Sequence, residues 1–301
     1  MTASDPVLVT GGTGKTGSRV AAGLAALGHP VRAGSRRPSP GQPVDAPVDA
    51  PVDRSTDHPV RPVRFDWADP ATHGPALDGT RLLYLVAPLA DPDPAAVMLP
   101  FLRRARESGV RRAVLLSSSA ITETGDGLST VHRAVRDTFP EWAVLRPSWF
   151  MDNFTGDHPH AHSIRAADEI VTATGEGRVG FVDVRDIAEV GVRALSDARA
   201  HNTAHLITGP EALSYADVAA VVSRVTGRRI AHRPVPYEAM RDRLAATGMP
   251  PAFAALLAGM DRSVAGGSED RVSPTVERVT GRPPRSFAEH AAAHAGDLAR
   301  G

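Results

Sequence analysis

The 301-residue chain contains no cysteine and one lysine, Lys15. The missing thiols exclude disulfide scaffolds, cysteine-ligated zinc or iron–sulfur sites and thiolate catalysis. Chemistry that needs a lysine amine has only Lys15 to draw on. The other basic residues are all arginine, which together with the abundant Ala and Pro reads as coding bias rather than as an arginine-dependent function. Phenols are scarce too, with tyrosines only at 84, 215 and 237. Neither sign of charge dominates: 34 basic residues face 34 acidic ones. The basic excess of a nucleic-acid binder is missing, and no nucleic-acid partner is expected. The longest apolar run, at 82–90, falls far short of the ~20 residues that cross a bilayer, so no membrane partner is expected. Met1–Pro6 shows no basic segment ahead of an apolar one, and a cytoplasmic location is the expectation. What remains is an ordinary globular composition, 42% hydrophobic and 23% charged. Its length suits one large domain or two modest ones.

Along the chain, strand and helix signals alternate. Val7–Thr10 reads as a strand, and Val20, Leu24 and Leu27 mark one face of a helix that Gly28 ends. Val31–Gly34 reads as the next strand, which completes a βαβ unit of about 30 residues. Residues 38–62 interrupt the pattern with three PVDx tetrapeptides, at 43–46, 47–50 and 51–54. So much Pro and Asp cannot pack a core, and this insertion is expected to be an irregular surface loop. Further strands are expected at Val63–Asp66, Leu82–Ala87, Ala113–Ser117, Trp142–Leu145, Phe181–Asp186 and His205–Thr208. Helices are expected near Pro94–Ser108, Val131–Thr138 and Ile187–Ser196. Ser214, with Asp217 three residues on, promises a capping box. The alternation specifies an α/β fold, a Rossmann doubly wound parallel sheet.

The segment Thr10-Gly11-Gly12-Thr13-Gly14-Lys15-Thr16-Gly17 follows the first strand and opens the first helix. Gly11 suits the tight turn out of the strand, Gly14 a close backbone approach to a pyrophosphate, and Gly17 close packing of helix on strand. The helix N-terminus then offers N–H groups and its positive dipole end to phosphate. In this context the glycines predict dinucleotide binding through Gly11, Thr13, Gly14, Lys15, Thr16 and Gly17. A Walker loop would need glycine five residues before Gly14, where Val9 stands. The second strand ends in Ser35-Arg36-Arg37 with no acid to hold a ribose 2′-hydroxyl, and guanidiniums suit a 2′-phosphate. NADP(H) is therefore the expected cofactor. Ligands in such sheets sit at strand C-terminal ends, which adds Asp66 and Trp67 near the adenine and Ala87 and Pro88 near the ribose and nicotinamide.

These motifs carry a family resemblance. TGGTGKTG at 10–17, SRRP at 35–38, VLLSSS at 114–119, LRPSWFMDNF at 145–154, FVDVRDIAEV at 181–190, ITGPEALSYADVA at 207–219 and VTGRPPRSFAEH at 279–290 together resemble the NmrA-like atypical short-chain dehydrogenase/reductases. That family includes proteins similar to ergot-alkaloid imine reductases and quinone oxidoreductases. The resemblance implies an NADP-binding Rossmann domain, 1–147 with 179–210, and a smaller, mostly helical substrate-binding lobe, 148–178 with 211–301. It places Pro147 and the residues after it beside the nicotinamide. It also puts Ser119 where the wider superfamily keeps a catalytic Ser or Thr. The superfamily's Tyr-x-x-x-Lys pair is absent, since its positions fall near Glu123 and Gly127.

Carbonyl reduction needs a strong proton donor to the developing alkoxide, whereas reduction of an iminium does not. The missing pair therefore points to an NADPH-dependent reductase of imines or iminium ions, quinones or activated alkenes, with a small aromatic or heterocyclic substrate. Alternatives are a non-catalytic redox sensor that signals to a protein partner, or an isomerase or cyclase that keeps the cofactor. Candidate donors are Ser119, His132, Asp152 and the histidines at 158, 160 and 162. An extended His158–His162 would align three imidazoles, but no metal is expected. Trp149, Phe150 and Phe154 are the candidate substrate contacts. The sequence fixes no oligomeric state.

Overall fold

A computed structural model describes residues 5–38, 60–88, 91 and 93–299. The PVDx repeats, expected as a surface loop, lie outside the described residues. In chain order the elements are β1 (Val7–Val9), α1 (Lys15–Ala26), β2 (Val31–Ser35), β3 (Arg61–Arg64), α2 (His73–Leu77), β4 (Leu82–Val86), α3 (Pro94–Glu107), β5 (Arg112–Leu116), α4 (Leu128–Thr138) and β6 (Glu141–Pro147). There follow α5 (Pro159–Ala167), β7 (Glu169–Thr172), β8 (Arg178–Val179), α6 (Val184–Ser196), β9 (Thr203–Ile207), β10 (Leu213–Ser214) and α7 (Tyr215–Thr226). The last are β11 (Ala231–Pro234), α8 (Tyr237–Ala246), α9 (Pro251–Ala265), α10 (Thr275–Thr280) and α11 (Phe287–Ala293). The chain divides into two compact units. The first runs to Pro147 and adds Arg185–Leu206; the second holds Ser148–Val184 and the chain from Ile207 on.

The first unit is built on a seven-stranded sheet in the order β3-β2-β1-β4-β5-β6-β9. The pairings among the first six of these strands are parallel, with Val9 opposite Ala33 on one side and Tyr84 on the other. Strand order reverses between β1 and β4, the place where such sheets bind ligands. The strands read as apolar runs because both faces are covered. Leu8, Leu83, Leu85 and Leu115 pack with Met98 and Phe101 of α3 and with Val131 and Val135 of α4. On the opposite face Gly191 of α6 lies so near Val20, Tyr84 and Leu145 that an added Cβ would come within 3.2–3.3 Å of each. This is the Rossmann doubly wound arrangement. Leu27 departs from expectation: it follows the last turn of α1 and is 56% exposed, while Val20 and Leu24 are fully buried. β3 also starts earlier than expected, at Arg61, which shortens the loop expected over 38–62.

The second unit contains two small strand pairs, β8 with β10 antiparallel and β7 with β11 parallel. Its core joins Phe154, Phe181, Tyr215 and Phe287, whose rings meet mostly edge to face. Residues 179–184 and 207–210 fall in this unit, not in the first as expected. Val179 and Phe181 belong to the aromatic core, and β8 pairs with β10. The strand expected over Phe181–Asp186 is a single bridge, Phe150 to Val182, and the helix begins at Val184. The capping box forms as expected: Ser214 Oγ accepts from Asp217 N, and the Asp217 side chain accepts from Ser214 N.

Candidate cofactor and active site

β1 leads into a loop that glycine makes possible. Gly11 takes a φ of +64°, which few other residues tolerate. Gly12 donates its N–H to Gly34 O at 2.9 Å. It lies so close to β2 that an added Cβ would stand 2.7 Å from Ala33 Cβ. An added Cβ at Gly17 would overlap the Gly11 carbonyl oxygen. Gly14 closes the turn by donating to Gly11 O at 2.9 Å and begins α1 as its N-cap. That helix has no side-chain cap and no acid in its first turn. Its leading N–H groups and positive end are thus left for an anion. Thr10 pins the loop across the switch point: its Oγ1 donates to Tyr84 O at 3.2 Å and accepts from Val86 N at 2.8 Å. Below the loop, burial pushes the Tyr84 phenol well above its ordinary pKa, with the Thr16 hydroxyl only partly opposing the shift.

A cavity of about 510 Å³ is lined by Thr13, Ser35, Arg36, Arg37 and Asp66. All five were expected at the cofactor from sequence, and the structure brings them to one place. Ser35 Oγ is buried without a hydrogen-bond partner. No ion pair among the described residues uses Arg36 or Arg37. Two guanidiniums and a hydroxyl with donors to spare fit a phosphate ester, so the residues present suit a phosphorylated adenosine. Lys15 is exposed on α1, and Ala87 and Pro88 are half-buried just past β4. Trp67, expected to flank the adenine, is half-buried. Its Nε1 donates to Val86 O at 3.0 Å, and its ring meets Phe65 and Phe101 edge-on at 4.9 and 5.1 Å.

Beyond β5 the backbone is tightly set. Ser119 N donates to Pro147 O at 2.8 Å, and Arg146 Nη2 donates to Ser119 O at 2.9 Å. Ser119, Pro147 and His132 are all buried. His132 lies in the second turn of α4 rather than at its start. Neither of its ring nitrogens makes a hydrogen bond, so Ser119 and His132 do not form a relay. Glu123 Oε1 is the nearest acid, at 3.8 Å. Burial holds the imidazole pKa below its usual value; Glu123 opposes this, and Arg146, Arg136 and Arg133 reinforce it.

In the second unit Trp149 and Phe150 are half-buried, while Phe154 is 1% exposed and packs among Phe181, Phe287 and His160. Phe154 is therefore core, not the substrate contact expected. The three histidines do not align either, because α5 starts at Pro159. His158 caps it, with Nδ1 accepting from His160 N at 3.2 Å. Burial, with His158 and His232 adding, brings the His160 pKa down to about 3.

Sequence reasoning missed a buried relay. His290 Nδ1 is 2.8 Å from Asp183 Oδ2, and its Nε2 is 3.1 Å from Thr155 Oγ1. Asp152 Oδ2 accepts from Val184 N at 3.4 Å. Ligand-type atoms of Asp152, Asp183 and His290 lie within 4.8 Å of one another. Both imidazole nitrogens are already committed to hydrogen bonds, so the group ties chain segments together rather than presenting an open metal site. No sequence motif could reveal it, because its members stand 107 and 135 positions apart.

Comparison with known proteins adds to this geometry. Residues 128–281 match the NmrA-like family, and residues 11–198 match an NAD(P)H-binding family. The chain is similar to the uncharacterized oxidoreductase YesF of Bacillus subtilis, at 43% identity over 98% of this chain and 97% of the relative. It is similar to festuclavine synthase II of Penicillium roqueforti at 38% identity, over 94% and 97% of the two chains. Its fold matches the NADPH-dependent quinone oxidoreductase QOR2 of Escherichia coli, solved with NADPH, with a TM-score of 0.78 at 21% identity over 95% and 99% of the chains.

Proposed function

We propose, from the premise that this chain belongs to the NmrA-like family and is an NAD(P)H-dependent oxidoreductase, that it is an NADPH-dependent reductase of iminium or imine, quinone or activated C=C bonds. Its substrate would be small and aromatic or heterocyclic. The carrying observation is that the sequence lacks the Tyr-x-x-x-Lys pair and that Ser119 and His132, at the positions expected near the nicotinamide, form no relay. Lys15 stands in the phosphate loop, and burial raises the pKa of the Tyr84 and Tyr215 phenols instead of lowering it. Burial also lowers the His132 pKa, with Glu123 opposing the shift. An iminium needs no proton at nitrogen during reduction, and quinones and conjugated alkenes need less assistance than ketones. Relatives named for festuclavine and agroclavine, with the resemblance to ergot-alkaloid imine reductases, favour the iminium within this set.

In this reading the first unit holds the cofactor and the second binds substrate. The loop Gly11–Gly17 and the start of α1 receive the pyrophosphate. Ser35, Arg36 and Arg37 hold the 2′-phosphate, with Thr13 and Asp66 on the same wall. When bound, NADPH supplies the hydride from nicotinamide C4. Ala87, Pro88 and Pro147 shape the ribose and nicotinamide end. Ser119 and His132 orient the reacting groups without supplying a strong acid, and Trp149 and Phe150 offer apolar surface to a planar substrate. The test is NADPH consumption by the purified protein with cyclic iminium ions, quinones, enones and simple ketones. Turnover on one of the first three classes with little on ketones is expected; preference for simple ketones would overturn the reading.

A further inference from the structure

In the second unit, several arginines are paired with acids. Arg228 meets Asp168 at 2.9 Å, Arg233 meets Glu169 at 3.1 Å and Arg178 meets Asp217 at 3.4 Å. Asp261 on α9 has no such pair. Its carboxylate Oδ2 accepts one hydrogen bond, from Ala173 N at 2.8 Å, and among the described residues no arginine, lysine or histidine stands within ion-pair distance. The next residue, Arg262, points elsewhere: its guanidinium lies over the Tyr237 ring, 4.4 Å from the centroid. Asp261 is nevertheless half-buried. On α9 it lies one turn beyond Leu257 and Ala258, on the same face. Those two residues belong to the apolar group of Ala173, Met240, Leu244, Tyr237 and Met249. Tyr215 of α7 is close enough to feel its charge. Burial moves the carboxyl pKa to about 6, with the Ala173 N–H only partly opposing the shift.

A half-buried carboxylate with one neutral donor is costly to ionise, and a cation beside it offsets that cost. The neighbours are aliphatic and aromatic, which suits an organic cation rather than a strongly hydrated metal ion. We propose that Asp261 is the anionic contact of the substrate lobe, and that it selects planar organic cations, an iminium or a quaternary aromatic nitrogen, over neutral molecules of the same shape. This rests on the reductase reading above for the identity of the lobe's ligand. Asp261 is here a specificity determinant and takes no part in bond making.

The test uses the full chain with NADP⁺ present. N-Methylquinolinium, to which NADP⁺ can deliver no hydride, is titrated by calorimetry beside its neutral carbon isostere 1-methylnaphthalene, with wild type and Asp261→Asn. Asparagine keeps the acceptor for Ala173 N–H and removes the charge. Wild type is expected to prefer the cation by tenfold or more. The variant is expected to lose about that factor for the cation, hold the neutral ligand within twofold, and bind NADPH unchanged. Equal weakening of both ligands, or none, would overturn the proposal. So would equal affinity of wild type for the two ligands, a result that needs no variant. The reductase reading fails separately. Cation selectivity that depends on Asp261 without turnover of any iminium, quinone or enone refutes that reading alone, and iminium turnover indifferent to Asp261 refutes this one alone.

Discussion

Replacing Gly12 by alanine isolates the steric logic of the phosphate loop. The new Cβ would stand 2.7 Å from Ala33 Cβ and 2.8 Å from Ala33 Cα. Carbon atoms pack at about 3.5–4.0 Å, so either the loop or β2 must give way by about 1 Å. β2 is held by its pairings to β1 and β3, and the loop moves more easily. Moving it stretches the 2.9 Å bond from Gly12 N to Gly34 O. Overpacking of this kind costs about 1–3 kcal/mol, and the strained hydrogen bond adds about 1 kcal/mol. At about 2–4 °C per kcal/mol for a protein of this size, the melting temperature should fall by about 4–16 °C. A 1 Å displacement of the phosphate-binding backbone should weaken NADPH binding by about 10–100-fold. Gly14→Ala is the control: Gly14 has a φ of −83°, and its nearest non-neighbour contact would be 3.3 Å. It should melt within about 2 °C of wild type while still losing affinity for NADPH, because the added methyl stands where the pyrophosphate approaches. Scanning calorimetry and fluorescence titration read both quantities. Wild-type melting and binding by Gly12→Ala would refute the argument, as would an equal loss of stability in Gly14→Ala.

Other predictions follow from the same structure. The double substitution Arg36→Ala, Arg37→Ala should weaken NADPH by about 10–100-fold, the worth of one or two charge-assisted hydrogen bonds, and leave NADH within about threefold. Equal loss for both nucleotides would remove the assignment of these arginines to the 2′-phosphate. His290→Leu takes the imidazole from Asp183 and Thr155 inside the second unit and should cost about 2–4 kcal/mol in urea unfolding; a loss below about 0.5 kcal/mol would contradict the buried relay. Asp261 titrates near 6 in the folded chain and near 3.9 when unfolded. The folded chain therefore holds the extra proton between these values, and this group's contribution to stability falls as pH rises through that window. Tyr215, the titratable group facing it, stays neutral throughout. Asp261→Asn should gain melting temperature relative to wild type on going from pH 4 to pH 8, and no change in that difference would refute the shift.

The parts of the molecule legible in the sequence are those set by short-range geometry. Gly11 and Gly17 announce a turn and a close helix contact that no other residue could make, and Ser35-Arg36-Arg37 announces its charge. The apolar runs of β1, β4 and β5 announce strands covered on both faces. Gly12 was overlooked because its constraint comes from Ala33, across the loop in the neighbouring strand. Phe154 reads as a ligand contact because an aromatic residue near a site looks the same in sequence whether it faces a ligand or other rings; here Phe181 and Phe287 enclose it. The relay of Asp183, His290 and Thr155 was hidden by distance along the chain. Asp261 was hidden by context, since one acid in an amphipathic helix reads as solvent-facing until Ala173 and Tyr215 are placed around it.

The most direct test of the central claim is a single-turnover reaction with NADPH deuterated at C4, offered a cyclic iminium and a simple ketone of matched shape in parallel. The account predicts deuterium at the former iminium carbon and a ketone rate at least about 100-fold lower, the contribution expected of a general acid. Comparable reduction of the ketone, with deuterium at its carbinol carbon, would show that the chain does possess a strong proton donor and would contradict the account.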